Sequence, residues 1–303
     1  MDRLDCDRMF VAVMDTGSFS AAARRIGTSS GQASKLVARL EAELGVRLLN
    51  RTTRALAPTE AGQAYLQRIR NILDDLDTLD DEVKSRATAP RGRLRLTAPL
   101  TFGTLQLVPA LNDFVRAYPL IELDVSFTDR VVNLVDEGFD AAIRAGATGD
   151  ANLIGRRLAE MRTLVVASDA YLAARGVPAH PADLARHDCI IDTNFRDPLQ
   201  WRFRDGDRDL TAPLSGRLRY SNAEACLSAA EAGLGIANLP DFVAARSMAE
   251  GRVRAVLSDF APPPRAIWAM YPAGRHLAAK VRVLVDFLAR RYAGVTDWAA
   301  LSP

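Results

Sequence analysis

Side chains that could bind a metal ion or act as nucleophiles are few in this sequence and mostly far apart. The closest grouping brings His180, His187, Asp188 and Cys189 into one short segment. These are ligand types that zinc prefers, which makes the segment a candidate metal site. Prolines flank His180, however, and the segment is predicted to form a loop and a short helix that lead into a strand. We therefore expect packing and capping roles for these side chains, with no metal ion and no other cofactor.

Motifs that set up catalysis are scarce as well. The 303-residue chain contains no HExxH metal motif, no GxGxxG dinucleotide motif and no P-loop. The sequence therefore predicts that the protein is not an enzyme. An enzyme that works in an α/β cleft and carries an N-terminal dimerisation module is kept as an alternative, although it would need acid, base or metal residues that no motif reveals.

Cysteine usage and hydropathy indicate the cytoplasm. The sequence has three cysteines, Cys6, Cys189 and Cys226, which are far apart and form no CxxC pair. An odd number of widely spaced cysteines is typical of a protein in a reducing compartment. The longest uncharged stretch, residues 97–112, is interrupted by prolines and a glycine, so it does not predict a membrane span. No secretory signal is recognised at the start of the sequence.

Charge is distributed unevenly along the chain although the net charge is only +2. Residues 17–58 carry seven Lys or Arg against two acidic residues, whereas residues 59–90 carry four against seven. A basic segment followed by an acidic one favours a polyanionic partner near the N-terminus, and charge alone does not separate DNA from RNA or anionic lipid.

Three short helices are predicted in the first 45 residues. The first ends before Gly17, the second begins after Ser18 and ends at Gly27, and Ser29 opens the third with the Ser-x-x-Gln spacing of a capping box. The third helix has an apolar face and an opposite polar face. A short helix, a glycine turn and a capped helix with polar residues in its first turns predict a helix-turn-helix, which places side chains in the major groove. A solvated helix in a plain bundle is the alternative.

A cationic hairpin is predicted directly after the third helix. Residues 46–49 and 55–57 are predicted as its two strands, with Arg51 and Arg54 near the tip. Guanidinium groups at that position could neutralise phosphates or enter the minor groove. The hairpin therefore has the character of a wing beside the helix-turn-helix.

Four linked blocks stand out in the first 65 residues: GSFSAAA (17–23), LEAELGVRLL (40–49), RTTR (51–54) and PTEAG (58–62). In these blocks and their spacing the sequence resembles the LysR-type transcriptional regulators, a family of bacterial DNA-binding proteins. The resemblance is most specific over the first 65 residues or so, and the remaining chain matches in length and order.

The resemblance and the helix-turn-helix pattern together predict DNA contacts from the third helix and the wing. Many members of the family have Ser-Gln-Pro or Ser-Pro-Ser at the start of this helix, whereas here Gly31 contributes no side chain. The predicted DNA-binding residues are Ser30, Gly31, Gln32, Ser34, Lys35, Arg39, Arg51, Thr52 and Arg54.

A single long helix is predicted from Thr59 to about Ser85, and its apolar residues follow a heptad-like seam with a second strip beside it. We predict that this helix forms a homodimer, because a long helix between domains has little else to bury itself against. Folding back onto its own domain is the alternative. Two DNA-binding modules related by a twofold axis would read a pseudo-palindromic operator. The seam residues are Leu66, Ile69, Leu73, Leu76 and Val83, and the strip beside them is Tyr65, Ile72 and Leu79.

From Arg93 the pattern changes to alternating strands and helices, which predicts an α/β region with mostly parallel sheets. Two lobes joined by crossing strands are expected. The predicted strands are 93–97, 121–127, 139–144, 164–167, 189–192, 234–238 and 266–270, with a strand-rich stretch over 201–220. The predicted helices are 105–117, 131–137, 169–174, 222–232 and 276–292.

Ligands of open α/β sheets bind beyond the carboxyl ends of the strands, beside helix N-termini that favour anions. The resemblance implies an effector cleft like that of periplasmic solute-binding proteins, with a small organic acid or an aromatic metabolite as its ligand. Arg144 is expected to pair with a carboxylate, against the alternative of an ordinary ion pair. The predicted effector-binding residues are Thr97, Pro99, Thr101, Thr128, Arg144, Thr193 and Asn222.

The predicted fold is therefore α/β with an N-terminal all-α winged helix-turn-helix, a long linker helix and a two-lobed, periplasmic-binding-protein-like effector domain. The predicted domains are 1–58, 59–88 and 91–303, with lobe I over 91–161 and 267–303 and lobe II over 162–266. The predicted function is a cytoplasmic, sequence-specific DNA-binding regulator that responds to a small molecule. Its expected partners are double-stranded DNA, the effector, and a second copy in a dimer or tetramer, with RNA polymerase as a further candidate and no membrane. A solute-binding protein with a fortuitous basic head is the remaining alternative.

Overall fold

A computed structural model describes residues 2–52, 55–84, 89–146, 152–195, 197–273, 277–295 and 298. The chain divides into two compact units, each with its own hydrophobic core. One unit consists of Met1–Arg93 and Val132–Gly138, and the other consists of Leu94–Val131 and Phe139–Pro303.

The N-terminal unit begins with the three predicted helices, α1 (Arg3–Thr16), α2 (Phe19–Ile26) and α3 (Ser30–Leu44). Gly17, Gly27 and Gly45 follow them with φ values of 64°, 79° and 69°, a conformation that glycine adopts without a steric penalty. The side chains of Ser18 and Ser29 accept backbone amides at the starts of α2 and α3, which confirms both predicted caps.

The predicted hairpin is present as β1 (Leu49–Thr52) and β2 (Ala55–Pro58), which pair antiparallel. The prediction that its first strand begins at Val46 is wrong, because pairing starts at Leu49 opposite Pro58. The amide of Leu48 instead donates to the Glu41 carboxylate of α3 at 2.8 Å. The Leu48 carbonyl still accepts the Thr59 amide at 2.9 Å, so one backbone bond joins the two arms of the hairpin just before the paired strands.

The long helix α4 (Glu60–Lys84) is present, but the first part of its apolar seam is buried within its own unit. Leu66, Ile69 and Leu73 pack in the same core as α1 and α3, so the prediction that they face a partner helix is wrong. They meet the apolar side of α1, which leaves no room for a second chain there. Ile72 on another side of α4 is 56% exposed. Leu76 is half-buried, and the side chains of Leu79 and Val83 lie outside the described residues.

Tyr65, predicted as part of the second strip on α4, also packs within the unit. Its hydroxyl donates to the buried carboxylate of Asp7 on α1 at 2.6 Å and accepts a bond from Arg3 at 2.9 Å. Burial and the Asp7 bond raise the pKa of Tyr65. These contacts connect the first helix of the unit to the last.

From residue 92 onward the chain alternates strands and helices, as predicted. The elements in chain order are β3 (Gly92–Ala98), α5 (Leu100–Phe102), α6 (Val108–Ala117), β4 (Ile121–Phe127), β5 (Ala141–Ala145), β6 (Leu153–Met161), β7 (Thr163–Ala167), α7 (Asp169–Arg175), β8 (Cys189–Asp192), β9 (Gln200–Asp205), β10 (Arg208–Pro213), β11 (Leu218–Tyr220), α8 (Ala223–Glu231), β12 (Ile236–Pro240), α9 (Asp241–Ala249), β13 (Arg254–Val256), β14 (Arg265–Pro272) and α10 (Ala279–Arg291).

Two five-stranded sheets organise the described part of this region. One has the strand order β4-β3-β5-β14-β6 and the other has the order β11-β8-β12-β7-β13. Both sheets contain parallel and antiparallel pairs, so the expectation of mostly parallel sheets is wrong. β14 returns late in the sequence to lie between β5 and β6, and it runs antiparallel to both.

Several predicted elements differ from the structure. The helix predicted over 105–117 starts earlier, at Leu100, and passes through a π-helical turn over Gly103–Leu107 before α6. Close packing accounts for the glycine, since a Cβ on Gly103 would overlap the ring of Phe127. The helix predicted over 131–137 is absent, because residues 134–138 form turns that end at Gly138 with a φ of 69°. The sequence patterns missed β6, α9 and β13, and His276 lies outside the described residues.

Among the helices that the structure describes, none combines the length and apolar content needed to cross a lipid bilayer.

Candidate functional sites

The helix α3 presents the predicted DNA-binding residues on its outer surface. Ser30, Gly31, Lys35 and Arg39 are exposed, and Gln32 and Ser34 are half-buried. The opposite side of the helix is buried in the core of the unit. The arrangement fits a recognition helix whose first turns face a ligand.

A motif that sequence inspection missed lies at the start of this helix. Gly27–Gly31 has the GxSxG spacing of a hydrolase nucleophile elbow, but such an elbow needs a strand before the serine. Here α2 precedes it, and the Ser29 side chain accepts the amide of Gln32 at 3.2 Å. The serine is therefore a helix cap.

The two positively charged side chains predicted to contact DNA from α3 differ in their ion pairing. The guanidinium of Arg39 donates to Glu43 at 2.8 Å, and this bond holds the pKa of the Glu43 carboxyl below its usual value. The ammonium group of Lys35 has no ion pair or hydrogen bond with any described residue. Of the two predicted cations on this helix, Lys35 is thus the one whose charge has no partner among the described residues.

The base of the wing is attached to α3 and α4 by a compact set of bonds. One oxygen of Glu41 accepts the amides of Leu48 and Leu49 at 2.8 and 3.0 Å. The Thr59 hydroxyl donates to the Arg47 carbonyl at 2.7 Å and accepts the Gly62 amide at 2.9 Å, which caps α4. These bonds fix where the hairpin leaves the helices.

Some residues of the predicted wing lie outside the described part of the chain. The side chains of Arg51 and Thr52, and all of Arg54, lie outside the described residues. Their predicted DNA contacts stay predictions.

A cavity of about 280 Å³ lies in the second unit and is lined by residues from both of its sheets. Four of the predicted effector-binding residues line it, namely Pro99, Thr101, Thr128 and Arg144. This cavity has the position expected from the rule that ligands bind beyond the carboxyl ends of strands.

The other three predicted residues do not line the cavity. Thr97 is buried behind it and accepts a bond from Arg144. The Thr193 hydroxyl donates to the Tyr220 carbonyl at 3.2 Å. Asn222 caps α8 and donates to Thr101 at 3.4 Å, so it supports a lining residue from behind.

Arg144, at the end of β5, is held in place by its own chain. Its guanidinium donates to the Ile143 carbonyl at 2.9 Å and to the Thr97 hydroxyl at 3.1 Å. A third, longer contact joins the guanidinium to the Arg130 carbonyl at 3.5 Å. These bonds fix the orientation of a planar cationic group at the cavity wall.

A second arginine in the cavity, Arg265, was missed from the sequence. Its guanidinium forms no hydrogen bond or ion pair with the described residues, and it packs over Gly146, where a Cβ would lie 3.3 Å from its Cζ. Arg265 begins β14, which runs antiparallel to β5 with Ile267 opposite Ala145. The first residue of an antiparallel strand therefore lies at the same sheet edge as the last residue of its neighbour, and a rule based only on strand ends overlooks it.

Two carboxylates also line the cavity, and both lie next to residues that the sequence predicted. Asp192 is the last residue of β8 and precedes Thr193, while Asp129 follows Thr128. The strand-end rule thus found the correct loops but selected neighbouring positions in the chain. Apolar and amide groups complete the lining: Phe102, Val131, Ile143, Ala145, Met161, Asn194, Phe195, Ala223, Pro240, Phe242 and Ile267.

The candidate metal ligands have packing and capping roles. His180 accepts the amide of Ala182 at 3.1 Å, and Nδ1 of His187 lies 3.2 Å from the Tyr171 hydroxyl. Burial lowers the pKa of His187 and raises the pKa of the Cys189 thiol to about 12. Within the described residues, no three His, Cys, Asp or Glu side chains form a group that could hold a metal ion.

Comparison with known proteins gives matches over nearly the whole chain. Residues 7–63 match the bacterial regulatory helix-turn-helix protein model of the lysR family, and residues 87–293 match the LysR substrate binding domain. An uncharacterised helix-turn-helix transcriptional regulator of Haemophilus influenzae is 35% identical over 281 residues, which cover 93% of this chain and 98% of that protein. A transcriptional repressor of Pseudomonas aeruginosa is 34% identical over 295 residues, covering 97% and 93% respectively.

A solved structure agrees with these matches. CrgA, a LysR-type transcriptional regulator from Neisseria meningitidis, superposes with a TM-score of 0.62 at 31% identity and covers 96% of this chain and 99% of its own. The superposition therefore includes residues of both compact units of this chain. The chain belongs to the LysR family of helix-turn-helix transcriptional regulators, which bind DNA and are not enzymes.

Proposed function

We propose that this regulator binds a pseudo-palindromic DNA site as a homodimer and that its cavity binds a small anionic effector, either an organic acid or an aromatic acid. The effector biases the arrangement of the DNA-binding modules, which is a linkage between two sites. The protein acts in the cytoplasm. Two dimers are candidates to assemble into a tetramer, and RNA polymerase is a further candidate partner.

The observation that carries the effector class is the pair of guanidinium groups in the cavity. Arg144 is oriented by Thr97, and Arg265 has no partner in the described part of the chain. A carboxylate can accept paired bonds from a guanidinium, and such charge-assisted bonds are among the stronger polar contacts in proteins. The three phenylalanines in the lining would pack against an apolar or aromatic body.

DNA binding is tested by a gel shift on the DNA upstream of the protein's own gene, with salt varied. Lys35→Ala removes an unpaired cation from α3, so we expect weaker binding and a salt dependence reduced by about one counterion per subunit. Arg246→Ala removes one positive charge from an exposed ion pair on α9 and serves as the control. Equal losses in both variants would mean that net charge, and not the recognition helix, governs binding.

Effector binding is tested by the thermal stability of the purified protein in a panel of carboxylic acids. A bound acid is expected to raise the melting temperature of the wild-type protein and to have little effect on Arg265→Gln. Arg246→Gln is the matched control and should respond like the wild type. If an acid stabilises Arg265→Gln as well as the wild type, Arg265 does not anchor the anion.

A further inference from the structure

Asp192 is a buried carboxylate at the cavity wall, and the described part of the chain offers it no positive partner. Its side chain belongs to a residue that is 6% exposed, and its one hydrogen bond is from the Asn194 amide to Oδ1 at 2.9 Å. No described Lys, Arg or His forms an ion pair with it. Its second oxygen, Oδ2, is therefore available to a ligand in the cavity.

Asp129 faces the same region from the other lobe. The Leu100 amide donates to its Oδ1 at 3.2 Å, and the Asn194 side-chain amide lies 3.5 Å from its Oδ2. Asp129 also forms no ion pair within the described residues. Asn194 thus lies between two carboxylates that belong to different sheets.

This arrangement is electrostatically incomplete without a cation. Burial raises the pKa of the Asp192 carboxyl, and the negative charge of Asp129 raises it further. The hydrogen bond from the Asn194 amide acts in the opposite direction and lowers it. A buried acid is usually paired, since removing its charge from water is costly. Neither arginine of the cavity supplies the pairing, because no ion pair joins Arg144 or Arg265 to either carboxylate.

We propose that the effector is an amino acid or a similar ampholyte, whose carboxylate binds Arg144 and Arg265 and whose protonated amino group binds Asp192 and Asp129. This rests on the proposed anion site and names the second half of the ligand. An ammonium group has three donors and one positive charge, which match two carboxylates that have free acceptor positions. The two acidic and two basic side chains of the lining balance a ligand with one charge of each sign.

Other ligands fit the lining less well. A simple monocarboxylic acid would leave the buried carboxylate unpaired, and a dicarboxylic acid would bring a like charge toward it. A metal ion at the two acids is disfavoured, since no third acidic, His or Cys ligand accompanies them in the described residues. The cavity volume of about 280 Å³ is small for a ligand site and suits a small metabolite such as a single amino acid.

The test uses the full-length protein and matched ligands. Thermal shift is measured with the twenty common amino acids, with the acids that lack each amino group, and with the amines that lack each carboxylate. 3-Phenylpropanoate and phenethylamine are the partners of phenylalanine in this set. We expect at least one amino acid to stabilise the protein, while both of its truncated partners bind at least about tenfold more weakly.

The variant Asp192→Asn then tests whether Asp192 binds the amino group of the ligand. It should weaken binding of that amino acid by about tenfold to a hundredfold and leave binding of the deaminated acid unchanged or stronger. Asp209→Asn, at an exposed position on β10, is the isosteric control and should behave as the wild type. Preserved affinity for the amino acid in Asp192→Asn would overturn the proposal.

The remaining outcomes separate this inference from the proposed function. If deaminated acids bind as tightly as the amino acids, the anion site stands and the ampholyte proposal is wrong. If none of the acids or amino acids binds, the anion site itself is wrong and the ampholyte proposal fails with it. DNA binding by the free protein does not depend on either outcome.

Discussion

Two glycines in the N-terminal unit should respond in opposite directions to the same substitution. Gly62 lies in the first turn of α4 against the edge of the wing, where a Cβ would overlap the Leu48 carbonyl oxygen and lie 2.8 Å from its carbon. Gly31 lies in the first turn of α3, and a Cβ there would have no other atom within 4 Å. Gly31 has an ordinary helical φ, so alanine is conformationally acceptable at that position.

The size of each effect follows from these surroundings. Gly62→Ala forces Leu48 away from α4 and strains the Thr59 amide bond to the Leu48 carbonyl, which is 2.9 Å long. Overpacking costs about 1–3 kcal/mol and a weakened hydrogen bond about 1 kcal/mol, offset by about 1 kcal/mol of better helix propensity. The net expectation is a loss of about 1–3 kcal/mol, whereas Gly31→Ala should gain about 0.5–1 kcal/mol.

Thermal unfolding followed by two probes measures these changes in the intact protein. The tryptophans Trp201, Trp268 and Trp298 all lie in the second unit, so their fluorescence serves as an internal reference. Circular dichroism at 222 nm also reports the helices of the N-terminal unit. A change of 1 kcal/mol corresponds to about 4–8 °C for a domain of this size. If Gly62→Ala melts at or above the wild-type temperature, the close contact between Leu48 and α4 is refuted.

Three further predictions concern the wing, the cavity and the linker helix. Glu41→Ala leaves the amides of Leu48 and Leu49 without their acceptor, so we expect a loss of about 1–3 kcal/mol in unfolding free energy and weaker DNA binding; an unchanged melting temperature would contradict this. Since folding raises the pKa of Asp192, its ionised form destabilises the folded state, and stability falls as pH rises from the ordinary carboxyl value of about 4 through the raised value. Asp192→Asn should therefore be more stable than the wild type at neutral pH, with the difference disappearing below about pH 4, and urea titrations across pH check it. Ile72→Asp should shift the protein toward monomer in light scattering, with Gln63→Asp at another exposed α4 position as control; a dimer of unchanged stability would place the dimer contact elsewhere.

The DNA-binding module was predictable because its signals are local. The serines that cap α2 and α3 and the glycines that end the first three helices act through their own backbone and near neighbours. The exposed position of Lys35 also follows from the helical period. The bond from the Leu48 amide to Glu41, seven residues earlier in the chain, was not predictable, because sequence periodicity does not reveal such a contact.

The cavity was predictable only in part. The rule of strand ends leads to Thr101, Thr128 and Arg144, which depend on the order of strands and loops along the chain. Arg265 reaches the same sheet edge because β14 inserts antiparallel between β5 and β6, a pairing between segments more than 100 residues apart. Asp192 and Asp129 come together because two sheets face one cavity.

The linker helix marks the same division. The sequence by itself determined that residues 60–84 form a long helix with an apolar seam, since helix formation and its 3.6-residue period depend on local spacing. The tertiary structure decided what covers Leu66, Ile69 and Leu73, because α1 of the same chain offers an apolar surface to them. An apolar stripe on a helix predicts that this face is buried. The surface that buries it depends on how the elements pack in three dimensions, which the stripe does not encode.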